Sequence, residues 1–374
     1  MPAHPEDIRN ESILRKKWHI NLSDPSRYPN GILVTGTNSF IGTHVIAVLQ
    51  DQWDGPLHIL VRASSEKEAL LKMRQSFETW QLGAFRANNV FIHLGDVSIH
   101  RMGLTANDHA LLREQVGTVI HLAMTPLYHL PYDHFKRMWV PELERMIAFC
   151  SDPHFPKSLH YASSFNANFF NDDEDFSALN TNAWQSGYAG FKWVAEQSLK
   201  NAFRQGLRGC IYNIPLVLGT EKAGICPRHY SIWMILDIFL KTGYFFKFNF
   251  RIIAVDILAK VMVFNIMEER KNNGASFIRP LLSEPVTDGM FAKIAAGLLG
   301  LKEVRLETVR EAFHNKLRFD FLMPGNFYPL MEKVNSLAAL FPEGFDRNTL
   351  PLTPIVFMSN LNRILLHQNK TSIE

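Results

Sequence analysis

The sequence predicts an α/β protein built on a doubly wound parallel sheet, followed by a smaller mixed α/β C-terminal substrate domain, and three observations carry that prediction. A short run with β propensity, Ile32 to Thr35, enters the glycine-punctuated segment GILVTGTNSFIG (Gly31 to Gly42), and helical spacing begins at Phe40 and Ile41. Buried-strand signatures then recur at residues 57–61, 90–94, 116–122, 158–162 and 210–214, each separated from the next by a helical pattern or a long crossover. Beyond residue 225 the alternation loosens into mainly helical segments with strands near 251–254 and 276–279. The expected organisation is an N-terminal segment over 1–29, a dinucleotide-binding domain over 30–225 and a substrate-binding domain over 226–374.

Strand, tight glycine turn and helix together form the opening of a Rossmann-type site. Gly36 turns the chain without a Cβ clash, Gly42 lets the helix lie close to the strand, and amides at the helix N-terminus are left to hold a pyrophosphate. Gly36, Thr37, Asn38, Ser39, Phe40, Ile41 and Gly42 are therefore the expected phosphate-side residues. Ser39 occupies the place where a middle glycine would let the phosphates approach most closely, and an ordinary strand-to-helix turn is the competing explanation. At the end of the second strand a carboxylate would bind a free ribose 2′-hydroxyl; the chain places Arg62 there, which suits a 2′-phosphate and points to NADP(H). An arginine at a strand end is also a common surface cation. Asp96, after the third strand, is placed to accept a hydrogen bond from adenine, as an ordinary turn aspartate would also be.

Composition narrows the function classes. With 374 residues and 47% hydrophobic content the chain can bury a large core. Its net charge of +3 is small and its cations are dispersed, which leaves nucleic-acid binding without an electrostatic footprint. The longest apolar stretch, Ser231 to Leu240, is too short to span a bilayer, and the first residues contain no apolar run of signal-peptide length. Three scattered cysteines, Cys150, Cys210 and Cys226, lack metal-ligand spacing and fit a reducing cytosol, so a cytoplasmic protein without a metal site is expected. The acidic run Asp172 to Asp175 reads as a solvated loop. Aromatic groups between Trp233 and Phe250 suit either core or an acyl or aryl pocket.

The catalytic candidate is Tyr188-Ala-Gly-Phe-Lys192. Four residues apart on a helix, the lysine ammonium can lie near the tyrosine hydroxyl and favour its phenolate. A second pair with this spacing, Tyr132 and Lys136, lacks a hydroxyl-bearing strand before it, so Tyr132 is expected in a loop or pocket wall. Tyr188 instead follows Tyr161-Ala162-Ser163-Ser164, whose hydroxyls emerge at the carboxyl edge of the sheet where ligands bind.

On these residues the chain resembles an extended short-chain dehydrogenase/reductase. Within that superfamily it resembles most the thioester reductase domains that end nonribosomal peptide and polyketide assembly lines and occur in carboxylic acid reductases. Val34-Thr35-Gly36 through Gly42, Leu60 to Ser64, Leu94 to Ser98, Val119-Ile120-His121, Tyr161 to Ser164, Gly187 to Glu196 and Val255 to Ala259 carry the resemblance. It implies a catalytic set of Ser164, Tyr188 and Lys192, and cofactor contacts at Val97, Leu122, Ala123, Ile214 and Lys192 in addition to those above. The implied reaction is NADPH-dependent reduction of an acyl or peptidyl thioester to an aldehyde, or onward to an alcohol. The donor would be a phosphopantetheine-loaded carrier protein or acyl-CoA; the oligomeric state stays open, a monomer sufficing. Three departures from the family pattern are Ser39, Trp139 in place of an asparagine that helps a proton relay, and Asn213 in place of an arginine near the substrate channel. Another extended dehydrogenase or epimerase acting on a small carbonyl or sugar nucleotide would share the same triad, and a non-catalytic nucleotide- or carrier-binding module would share the fold.

Overall fold

The computed structural model describes residues 8–18, 20, 28–124, 130–170, 187–220, 222–227, 229–246, 250–272, 277–280, 285–286, 297 and 299–315. The acidic run Asp172 to Asp175 lies outside them. Two compact units are present. The described residues of the first run to Phe170 and continue through 187–213 and 259–280; those of the second fall in 214–258 and beyond 280.

The first unit is the doubly wound sheet. Strands β1 (Gly31–Thr35), β2 (Leu57–Val61), β3 (Val90–Leu94), β4 (Val116–His121), β5 (Ser158–Ser164) and β6 (Arg208–Ile214) lie in the order β6-β5-β4-β1-β2-β3. Chain direction is parallel in the pairs β1·β2, β1·β4, β2·β3 and β4·β5. Residues 277–280, expected as a strand near 276–279, add a seventh strand in parallel beside β6. The central strands β1, β2 and β4 are buried along their whole length, which is why they read as continuous apolar runs rather than alternating ones. The order reverses between β1 and β4, and such switch points open a crevice at the carboxyl ends of the strands.

Between the strands lie helices α1 (Phe40–Gln52), α2 (Glu66–Thr79), α3 (Ala106–Gln115), α4 (Tyr132–Cys150) and α5 (Gly187–Arg204). Ser39, Ser65 and Thr105 cap the first three, each hydroxyl accepting from an amide three residues on. Tyr132 departs from the loop expectation. It opens α4 directly after Pro131 and is 2% exposed, because the aromatic ring joins the core while Lys136 turns outward to Glu11 at 2.8 Å. The second unit contains a three-stranded sheet formed by residues 216–218, 250–254 and 285–286, with a helix over Ser231–Thr242. Phe239, Phe245 and Phe246 are core residues there. All three cysteines are buried thiols that form no disulfide, and among the described residues no helix is long and apolar enough to cross a membrane.

A polar pair joins β2 to β3 in the first unit's sheet, buried at His58 and half-buried at His93. His58 on β2 and His93 on β3 share a hydrogen bond of 2.9 Å, and the His58 ring stacks on Phe91. Burial, then the neighbouring His93, pulls the His58 pKa down to about 4, and burial lowers that of His93 too. An unfolded chain takes up protons at these rings below about pH 6.5 that the folded state refuses until lower pH, so stability declines as pH falls from 7 toward 4. The thermal midpoint followed by circular dichroism should drop across that window, and His58→Phe should flatten the decline; an equally steep profile in the variant would assign it to other groups.

Candidate active site

The glycine turn holds the tightest backbone contact of the site. Gly36 has φ +71°, and a Cβ on it would meet Ala123 N and Leu122 C at 2.7 Å. A Cβ on Gly42 would lie 2.1 Å from Gly36 O, so α1 approaches the turn as closely as it does only because that residue has no side chain. Ser39 takes over the missing middle glycine in its own way. Its hydroxyl donates to Gly36 O at 2.7 Å and accepts from Gly42 N at 3.0 Å, stapling the turn to the first turn of α1. Thr37 is buried and donates to Leu60 O at 3.2 Å, which ties the turn to β2.

A cleft of about 260 Å³ opens over this turn at the ends of β2, β3 and β4. Of the expected cofactor residues it brings together Gly36, Asn38, Ser39, Arg62, Asp96, Val97, Leu122 and Ala123, and it adds Met124 and Trp139. Thr37, Phe40, Ile41, Gly42, Lys192 and Ile214 are not on its wall: Thr37, Phe40 and Gly42 are buried in the turn and α1, and Ile214 ends β6. Arg62 is 76% exposed at the rim, with Nη1 3.6 Å from Asp96 Oδ2; Asp96 also accepts from Ser98 N and Oγ. An exposed guanidinium at this place fits a phosphate on the ribose. The Cβ-free cradle of Gly36 and Gly42 fits the pyrophosphate, so the residues present suit a dinucleotide.

Lys192 stands in a separate buried cluster. Its Nζ donates to Ala162 O at 2.6 Å and to Tyr161 OH at 3.2 Å, and it lies 5.9 Å from the centre of the Tyr188 ring. Both Lys192 and Tyr188 are buried, so α5 is pinned to the end of β5. Burial pulls the Lys192 pKa down to about 7, opposed by Glu196 and then Glu142. Lys192 is therefore not the permanent cation that its spacing from Tyr188 suggests: desolvation makes its charge depend on neighbours. Burial also holds the Tyr161 hydroxyl well above the usual phenol range. Ser164 Oγ accepts from Asn166 N at 3.3 Å. Asn213, one of the departures, is buried in the framework, donating to Ser164 O at 3.2 Å and to Glu196 Oε1 at 2.9 Å. Sequence spacing could not show Tyr161, His121, Glu142 and Glu196 meeting here, since they come from strands and helices far apart in the chain; their only signal was polar residues within otherwise apolar runs.

The family model described as Male sterility protein, an NAD-binding domain, matches residues 34–262. The chain belongs to that family. By that match it carries an NAD(P)-binding domain. Over 220 residues it is 27% identical to a linear gramicidin synthase polypeptide of Brevibacillus parabrevis, a match that covers 57% of this chain and 4% of that protein. Over 261 residues it is 25% identical to L-2-aminoadipate reductase of Schizosaccharomyces pombe, covering 60% of this chain and 18% of that protein. The chain thus spans less than a fifth of the length of these relatives. It shares the fold of the terminal R domain from the myxalamid PKS-NRPS biosynthetic pathway (TM-score 0.73, 17% identity, 91% of this chain and 92% of that one). It shares that fold also with the reductase (R) domain of nonribosomal peptide synthetase from Mycobacterium tuberculosis (TM-score 0.67, 17% identity, 98% and 99% covered).

Gly42→Ala tests the turn. A methyl 2.1 Å from Gly36 O forces α1 outward, so the variant should lose about 1–3 kcal/mol of stability and bind reduced nicotinamide dinucleotide at least about tenfold more weakly by fluorescence titration. Unchanged binding would place the dinucleotide elsewhere.

Proposed function

We propose that the chain is an NADPH-dependent reductase of an acyl or peptidyl thioester, releasing an aldehyde or, after a second round, an alcohol. The observation that carries this reading is the buried Lys192, fastened to the carboxyl end of β5 and next to Tyr188, in the same unit as the dinucleotide cleft. Likeness in sequence to an L-2-aminoadipate reductase and in fold to R domains supports the reductive direction. A protein of the same fold is a thiolation-reductase di-domain from an archaeal nonribosomal peptide synthetase (TM-score 0.64, 13% identity), which favours a carrier-bound donor over coenzyme A.

When bound, the nicotinamide supplies the hydride. Gly36, Asn38 and Ser39 would seat the phosphates, Arg62 the 2′-phosphate, and Asp96 with Val97 the adenine side. Ser164 Oγ would steady the oxyanion that develops on the thioester carbonyl, and Tyr188 would give it a proton. Lys192 would hold the nicotinamide ribose and, as an ammonium, lower the cost of the Tyr188 phenolate.

Removing the guanidinium with Arg62→Ala should weaken NADPH at least about tenfold while leaving NADH within about twofold, measured by titration of both. Equal losses for the two would refute the 2′-phosphate contact. Tyr188→Phe should cut NADPH oxidation on a carrier-bound thioester about a hundredfold or more with NADPH affinity intact. Turnover confined to free ketones would favour a small-carbonyl dehydrogenase, and undiminished turnover in the variant would remove Tyr188 as proton donor.

A further inference from the structure

The cluster around Lys192 holds more charge than the proton transfer itself uses. Two carboxylates enter it from different helices. Glu142, on α4, is 2% exposed; its Oε1 lies 3.2 Å from His121 Nε2 and takes no hydrogen bond. Glu196, one turn beyond Lys192 on α5, is 5% exposed and accepts from Ser163 Oγ and Asn213 Nδ2. The other ring nitrogen of His121 is 2.9 Å from Thr35 Oγ1. The ring itself stacks on Tyr161, whose hydroxyl accepts from Lys192. Carboxylates are almost never buried this completely unless they are paired, and among the described residues the lysine ammonium buried in this cluster is that of Lys192.

We propose that Glu142 and Glu196 are positioning residues that bracket Lys192, holding its ammonium charged and aimed between Tyr161 and the Ala162 carbonyl beside Tyr188. This rests on the reading of Tyr188 and Lys192 as the proton-transfer pair. The titratable groups around the ammonium are Tyr161 from β5, within hydrogen-bond distance, Tyr188 from α5, whose ring centre is 5.9 Å away, Glu196 one turn on along α5 and bonded to Ser163 next to Ala162, and, through the His121 ring of β4 stacked on Tyr161, Glu142 from α4. Burial raises the Glu196 pKa, and the hydrogen bond from Ser163, Lys200 on the next turn of α5, the hydrogen bond from Asn213 and Lys192 itself oppose that rise and favour the carboxylate. Burial strips the proton and the two carboxylates oppose it, so losing either charge leaves Lys192 neutral at a lower pH.

The test reads Lys192 directly. In apoprotein labelled at lysine Cε with 13C, the Lys192 resonance is assigned by its loss in Lys192→Arg and its titration midpoint is followed by NMR. Glu142→Gln and Glu196→Gln should each lower that midpoint by about one unit, with Glu142→Asp in between. Glu144→Gln, on the same helix but paired with Lys16 near the surface, should leave it unchanged. The alkaline fall in kcat should move with the midpoint. Glutamine variants that melt cooperatively with an unmoved Lys192 midpoint overturn the bracket, even where thioester is reduced; should they fail to fold, an unmoved midpoint in Glu142→Asp overturns it. A shifted midpoint without any thioester turnover keeps the bracket and sinks the substrate assignment instead.

Discussion

An ammonium taken out of water at the edge of the sheet is the constraint on which the site depends. Lys192 has no solvent to hydrate it, so its neighbours must supply an oxygen lone pair and counter-charge. The chain answers with a carbonyl at the end of β5, a phenol two positions before Ser163 on the same strand, and two carboxylates. The first two tie β5 to α5, while Glu196 comes from α5 itself and Glu142 from α4. Because the Ala162 carbonyl accepts from Lys192, the helix that carries Tyr188 cannot slide along β5 without leaving a buried charge unpaired, and the cost of that error fixes the register of helix on strand.

The dinucleotide side is governed by a different constraint, steric rather than electrostatic. Helix α1 sits against Gly36 O at a separation that a single methyl on Gly42 would abolish. Ser39 makes this approach rigid by bonding to both glycines, and in doing so it takes the Gly42 amide for itself. A middle glycine would leave that amide available to a phosphate. The serine therefore exchanges one potential phosphate donor for a cap on α1, leaving the rest of the cradle to the turn and to the earlier amides of the helix.

What could be read from the chain follows from the range of the forces involved. The strands and helices of the first unit were legible because burial on both faces writes continuous apolar runs, and the turn was legible because only glycine tolerates its backbone. Gly36, Ser39, Arg62, Asp96 and Ala123 share one cleft for the same reason: they all sit at strand ends next to their own motif. Tyr132 misled because spacing alone cannot tell a ring that opens a helix within the core from one in a loop. Glu142 and His121 were illegible as a pair, since nothing local distinguishes a polar residue that meets a distant partner from one that meets water. The dependence of Lys192 on its surroundings is likewise a property of burial that no four-residue spacing contains.

Helix α4 brings the two constraints together. Trp139 lines the dinucleotide cleft, and Glu142, three residues on and hence on the neighbouring part of the same face, meets His121 beneath Tyr161. One helix thus supplies a wall to the cofactor and a counter-charge to the lysine cluster. Any displacement of α4 that widened the cleft at Trp139 would also shift Glu142 against His121 beneath Tyr161, so the wall of the cleft and the packing of the lysine cluster are mechanically linked. An indole at position 139 leaves the hold on Lys192 intact, because the groups that accept its hydrogen bonds, Tyr161 and the Ala162 carbonyl, come from β5 and not from α4.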